Sequence, residues 1–89
     1  MKNTNSQFAL DNKYNSFIGK TVLPVKDEYG LEVPDMSDNV VPTLLSYAAA
    51  EGKFIRWWFP KTIGTMDLRT DRINVHVNRN NIITTISVG

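Results

Sequence analysis

An α+β domain is what this sequence predicts, and three observations predict it. Val41, Leu44, Leu45, Ala48 and Ala49 recur at helical spacing. Ile73, Val75 and Val77 alternate with Arg72, Asn74 and His76 at the period of a strand. Two further runs, Lys53 to Phe59 and Ile82 to Val88, are rich in aromatic and β-branched residues. At 89 residues the chain is long enough for one modest core, and one helix packed on a small sheet accounts for all three patterns.

The elements follow in order. Residues 1–13 are dominated by Asn, Ser, Gln and Lys and read as a mobile polar arm, leaving 14–89 as the domain. Phe17, Ile18 and Val22 offer core anchors. Pro24 and Pro34, with Asp27-Glu28-Tyr29-Gly30 between them, make 23–37 an irregular, acidic connection with room for short structure inside it. Ser37 or Asp38 suits a helix cap, Pro42 is tolerated in or near a first turn, and Gly52 terminates the helix. The strand from Lys53 to Phe59 closes at Pro60; Ile55, Trp57 and Phe59 share one face, and Phe54, Arg56 and Trp58 the other. A loop over 60–71 leads into the strand 72–78. Asn78-Arg79-Asn80-Asn81 is a turn, which makes Ile82 to Val88 the hairpin partner of 72–78. A connection of about a dozen residues between the first two strands is long for a hairpin, and such a loop in a compact domain is usually functional.

Composition removes several function classes. The net charge is +1 and the ten basic residues are scattered, which argues against nucleic acid as a partner. There is no cysteine, so the domain is disulfide-free and thiolate catalysis and cysteine-based zinc sites are excluded. No run approaches the roughly 20 apolar residues that span a bilayer, and the amino-terminal stretch lacks the pattern of a signal peptide. A soluble chain with no membrane partner is expected, cytoplasmic or a mature exported form.

Nor does the sequence read as an enzyme. Its only imidazole, His76, has no second histidine to complete a metal site and reads as a surface or edge residue of its strand. Asp67 and Asp71 lie among arginines, which lower carboxylate pKa values and make poor proton donors. No Gly-rich phosphate loop is present. The expectation is therefore no catalytic residue, no metal and no cofactor. Arg56-Trp57-Trp58 offers a stacking surface for single-stranded nucleic acid or carbohydrate. Without the basic groove such binding needs, the plainer account is that alternation sends one tryptophan into the core and packs the other under the helix or a loop.

For the loop itself, spacing leaves two readings open. In one, its Asp and Arg residues form exposed pairs worth ~0–1 kcal/mol each on an ordinary surface. In the other, Thr65 and Asp67 flank an exposed Met66 and hydrogen-bond to Arg72 across the loop base, holding the peptide bond after Met66 extended.

The run Thr65-Met66-Asp67-Leu68-Arg69-x-Asp71-Arg72-Ile73-Asn74-Val75-x-Val77, with the ending Ser87-Val88-Gly89, resembles the potato inhibitor I family of serine protease inhibitors. It is most like the family's small bacterial and fungal relatives. Phe17-Ile18-Gly19-Lys20-Thr21-Val22 resembles the family's early segment. The residues 17–22, 65–77 and 87–89 that carry the resemblance make up about a quarter of the chain.

The resemblance implies a single helix packed on a small mixed β-sheet, with an extended protease-binding loop between two parallel strands. It implies Met66–Asp67 as the reactive bond, with Met66 in the protease's primary pocket. Ile63, Gly64, Thr65 and Leu68 are then protease-contact residues, Ile63 in an apolar subsite. Arg72 matches the family's bracing arginine; Arg69 and Asn74 occupy further positions of the bracing motif. The implied partner is a serine protease of the subtilisin, chymotrypsin or elastase kind, since Met66 does not suit a pocket carrying a buried carboxylate. A monomer is expected.

Departures from the pattern are specific. Potato-type members often carry a second arginine at Asn74. The bacterial relatives usually have Asn there, but a cysteine where this chain has Val88. Gly64 adds backbone freedom just before Thr65. The 23–37 insertion displaces the helix from its place after Gly-Lys. The rival reading is a non-inhibitory binding module on the same scaffold, using Trp57, Trp58 and the 23–37 insertion.

Overall fold

The computed structural model describes residues 12–37, 39–64 and 69–89. Residues 1–11 of the arm expected over 1–13, the cap candidate Asp38 and the loop residues Thr65, Met66, Asp67 and Leu68 lie outside the described residues.

Local chemistry sets the helix ends. Helix α1 runs Val40–Ala50, with Asn39 at the N-cap and no side-chain capping bond. The start falls one or two residues later than the Ser37 or Asp38 expected from sequence. Pro42 is the third helical residue, where its missing N–H leaves no bond unmade. At the other end Gly52 takes φ +69. There the Lys53 N–H reaches the Ala48 carbonyl at 2.9 Å and the Gly52 N–H reaches that of Ala49 at 3.1 Å. This paired closure needs a left-handed residue, which glycine supplies without strain.

Three strands form the main sheet in the order β3-β4-β5: β3 Phe54–Trp58, β4 Arg72–Val77 and β5 Ile83–Val88. β3 and β4 are parallel, with Phe54 opposite Arg72 and Trp58 opposite His76. β4 and β5 form the expected antiparallel hairpin. In its turn the Asn78 carboxamide oxygen accepts from the N–H groups of Asn80 and Ile82 at 2.8 and 3.1 Å. The sheet is therefore mixed, and α1 packs on one face of it through Val41, Leu44 and Ala48, against Ile73, Val75, Val77, Ile83 and Ile86. Ile55 and Trp57 add to this core from β3.

One reading is refined and another corrected. The segment 23–37, read as an irregular connection with room for short structure inside it, holds a two-stranded antiparallel hairpin, β1 Pro24–Lys26 and β2 Glu32–Pro34. The Asp27 carboxylate closes it by accepting from the N–H groups of Tyr29 and Leu31 at 2.8 and 3.0 Å. With three residues a side, the strands are too short for alternation to mark them. Ile18, read as a core anchor, is 45% exposed, and Tyr14 is fully buried in its stead. The cause is a 3₁₀ helix over Asn12–Phe17, whose three residues per turn put Tyr14 and Phe17 on one side and turn Ile18 away. Both rings meet Tyr47 of α1 edge-on. The chain from Gly19 to Val22 then bonds along β5 and its turn, through Gly19 N–H to Ile83 O at 2.8 Å, Ile83 N–H to Lys20 O at 2.9 Å and Val22 N–H to Asn81 O at 2.7 Å. These bonds occupy part of what would be an open sheet edge.

Candidate functional site at the base of the long loop

Parallel pairing dictates the loop. A chain leaving β3 must travel back along the sheet before it can enter β4 in the same direction, which takes a crossover of about a dozen residues or more. The connection 59–71 is that crossover. Gly64 lies against the tips of Arg56 and Trp58 on the face opposite α1, so the outgoing limb runs over that face.

The returning limb ends at β4, where the alternation read from sequence holds only in part. Ile73, Val75 and Val77 are buried toward the helix as expected, yet Arg72 and Asn74 on the other face are buried too, at 4% and 2% exposure. Gly89, at the end of β5, is what they bury against. Arg72 Nε donates to the Gly89 carbonyl oxygen at 2.7 Å, Asn74 Nδ2 donates to the same oxygen at 2.9 Å, and the Gly89 N–H returns a bond to the Arg72 carbonyl at 3.0 Å. One carbonyl with two lone pairs thus holds two side chains from successive positions of one strand face.

Asn74 also accepts from Trp58 Nε1 at 3.0 Å. Its amide is committed at both ends, bridging β3 to Gly89. Trp58 in turn stacks on His76, ring centroids 6.0 Å apart and planes at 11°, and carries the Arg56 guanidinium 4.7 Å from its own ring. His76, expected at a surface or edge, is on the central strand and half-buried beside that indole. Burial holds its pKa below the ordinary imidazole value. Arg69 lies nearer the surface, bonding both Asp71 carboxylate oxygens at 2.9 Å with its guanidinium 5.3 Å from the Phe54 ring. The hydrogen bond from Arg69 lowers the Asp71 pKa.

Of the site residues taken from sequence, Ile63, Gly64, Arg69, Arg72 and Asn74 fall among the described residues. Arg72 and Asn74 are brought together on one acceptor, Gly64 sits on the neighbouring strand's side chains, and Ile63 is 94% exposed. Sequence reasoning missed Trp58, His76 and the Gly89 carbonyl as members of this cluster. Alternation already set Arg56 and Trp58 on one face; the signal that joins them to Asn74 and His76 is the parallel register, Arg56 opposite Asn74 and Trp58 opposite His76. Trp57 goes to the core as the plainer account expected, while Trp58 packs under the loop. Beside the site, a cleft of about 520 Å³ separates the β1–β2 hairpin from β3 and the outgoing limb, lined among others by Leu31, Val33, Ile55, Trp57, Lys61 and Ile63. Among the described residues no helix is long and apolar enough to cross a membrane, and no cluster of metal-ligating side chains occurs.

Fold and site together define a small α+β scaffold with one long crossover connection and a cluster of buried polar contacts where that connection re-enters the sheet. No family model matches this chain, and no curated protein matches it. Among solved structures it is similar to that of the elastase inhibitor AFUEI, at 23% identity over 82% of this chain and 78% of the other, with a TM-score of 0.49.

Proposed function

We propose that the chain is a reversible, substrate-like inhibitor of serine proteases, presenting Met66–Asp67 as its reactive bond. The observation that carries this reading is the buried pair Arg72 and Asn74, both fastened to the Gly89 carbonyl where the crossover loop re-enters the sheet. Polar side chains at the foot of a loop are rarely buried this fully without a position to hold. Holding the loop lowers the ordering cost of association, the physical source of tight binding for a preorganised ligand. In this reading Met66 fills the primary pocket with its carbonyl at the oxyanion hole, and Thr65 and Asp67 flank it. Ile63, fully open to solvent, takes an apolar subsite, with Gly64 and Leu68 as further contacts. A partner of the subtilisin, chymotrypsin or elastase kind suits a flexible, unbranched, uncharged Met66.

Titration of subtilisin, chymotrypsin, elastase and trypsin tests the reading. Stoichiometric loss of activity is expected in at least one of the first three, and Met66→Lys is expected to move the preference toward trypsin. Inhibition of none, or rapid degradation of the protein as an ordinary substrate, overturns it.

A second reading, a non-inhibitory binding module, draws on the cleft between hairpin and loop, which Trp57 lines together with Leu31 and Val33. It requires a non-protease partner whose association survives Met66→Lys and resists added salt.

A further inference from the structure

A substrate-like inhibitor faces a problem on both sides of its reactive bond. If the bond opens in the protease, religation requires that the new carboxyl end and the new amino end both stay in register. Arg72 and Asn74 follow Met66–Asp67 in the chain and fasten the strand that carries the new amino end. The carboxyl side is the limb through Gly64, which the structure sets against side chains of β3.

We propose that Trp58 is the positioning residue for that limb, and that it ties the limb to the opposite base of the loop through Asn74. This inference rests on the inhibitor reading above and adds a residue to it. Three features support it. Gly64 approaches the Trp58–Arg56 pair so closely that a Cβ built on it would strike the Arg56 guanidinium and lie 3.3 Å from Trp58 Cη2. A glycine at this point lets the backbone sit against the Arg56 guanidinium where it covers the Trp58 ring, so the residue that loosens the free chain also permits its seat. Next, the indole is itself held on several sides, by Arg56 at 4.7 Å, by stacking on His76 and by donation from Nε1 to Asn74 Oδ1 at 3.0 Å. Lastly, the chain of bonds from Trp58 to Asn74, and from Asn74 to the Gly89 carbonyl that Arg72 also engages, joins the seats of the two limbs through one oxygen. Both ends of an opened bond would then be referred to one rigid set of groups. Asn74, which lacks the reach of a second arginine, supports the loop by linking two strands.

The test compares Trp58→Phe with Trp57→Phe, one aromatic from each face of β3, against whichever protease the wild type inhibits. Three readouts are taken: the inhibition constant, the rate of clipping at Met66–Asp67 followed by mass spectrometry, and Tm. Trp58→Phe keeps a ring on the shelf but removes the Nε1 donor, leaving Asn74 Oδ1 without that bond. Clipping is expected to accelerate about tenfold and the inhibition constant to weaken by a similar factor, on the scale of one buried hydrogen bond. Trp57→Phe is expected to lower Tm while leaving clipping and inhibition near wild type. Equal clipping by Trp58→Phe and wild type overturns the inference while the inhibitor reading stands. If the wild type inhibits no protease, that reading fails and this inference falls with it. Should Trp58→Phe not fold cooperatively, Arg56→Met serves instead. It removes only the guanidinium between Gly64 and the indole, and faster clipping supports the seat where unchanged clipping refutes it.

Discussion

The two faces of the β3-β4-β5 sheet are built on different physics. The face under α1 is filled by Val41, Leu44, Ala48, Ile73, Val75, Ile83 and their neighbours, held by the non-directional removal of apolar surface from water. The loop face carries Arg56, Trp58, Arg72, Asn74 and His76, held by directed bonds that converge on Asn74 and the Gly89 carbonyl. Apolar packing sets how strongly the domain folds, yet tolerates rearrangement of like for like. Directed bonds contribute less net stability each, but they fix where an atom sits. A loop that has to be presented in one shape belongs over the second kind of face. The division can be broken experimentally, because it requires stability and loop function to respond to different substitutions.

The largest expected effect lies on the helix face. Leu44 is fully buried, and Leu44→Ala should cost about 2–5 kcal/mol, a drop in Tm of roughly 10 °C or more in a domain of this size. Measured on the folded fraction, clipping and inhibition should be unchanged. On the loop face Arg72→Ala should cost less stability, about 1–3 kcal/mol for a buried hydrogen-bonding group, because Asn74 still serves the Gly89 carbonyl. Its functional effect should be the greater, turning the inhibitor toward a substrate whose Met66–Asp67 bond is cleaved at least about tenfold faster. If the two variants change Tm and clipping in the same proportion, the division between faces is wrong.

The helix face was legible in the sequence because apolar spacing encodes it. Val41, Leu44 and Ala48 advertise a helical stripe, and Ile73, Val75 and Val77 a strand face, without help from any other part of the chain. The loop face was legible only in pieces. Arg72 and Asn74 could be named from the motif they resemble, but alternation says only that they face away from Ile73, Val75 and Val77, and nothing local shows that both converge on the Gly89 carbonyl. Trp58 and His76 lie eighteen positions apart, and only the parallel register brings their rings together. The β1–β2 hairpin escaped for another reason, as three-residue strands give periodicity too little chain to act on. Local pattern reports which residues are apolar; it does not report what long-range pairing lays on top of them.

His76 gives a milder probe of the same division. Burial depresses its folded-state pKa below the ordinary value near 6.5, so in that range the unfolded chain binds a proton that the folded chain does not. Stability from this residue is complete above the unfolded value and declines as pH falls from there toward the folded one. Tm should therefore fall between pH 7 and pH 5, and His76→Gln should flatten that part of the profile. Glu51 and Asp71, both with lowered pKa values, act in the same direction but only at more acid pH, where carboxylates titrate. A profile equally steep in His76→Gln would remove the imidazole from the account.

The smallest effect is expected at Arg69, and it sharpens the line between a buried and an exposed contribution to the loop base. Arg69 and Arg72 are three residues apart in the resembled motif, but one pairs with Asp71 at half exposure and the other is buried against Gly89. Exposed pairs are screened by water and salt and restrain little, even when bidentate geometry is good. Arg69→Ala should leave Tm unchanged within error and raise clipping far less than Arg72→Ala does, with the remaining difference shrinking as salt is added. A loss of inhibition as large as that of Arg72→Ala would mean that bracing does not require burial, and that the loop is held from its surface as much as from the sheet beneath it.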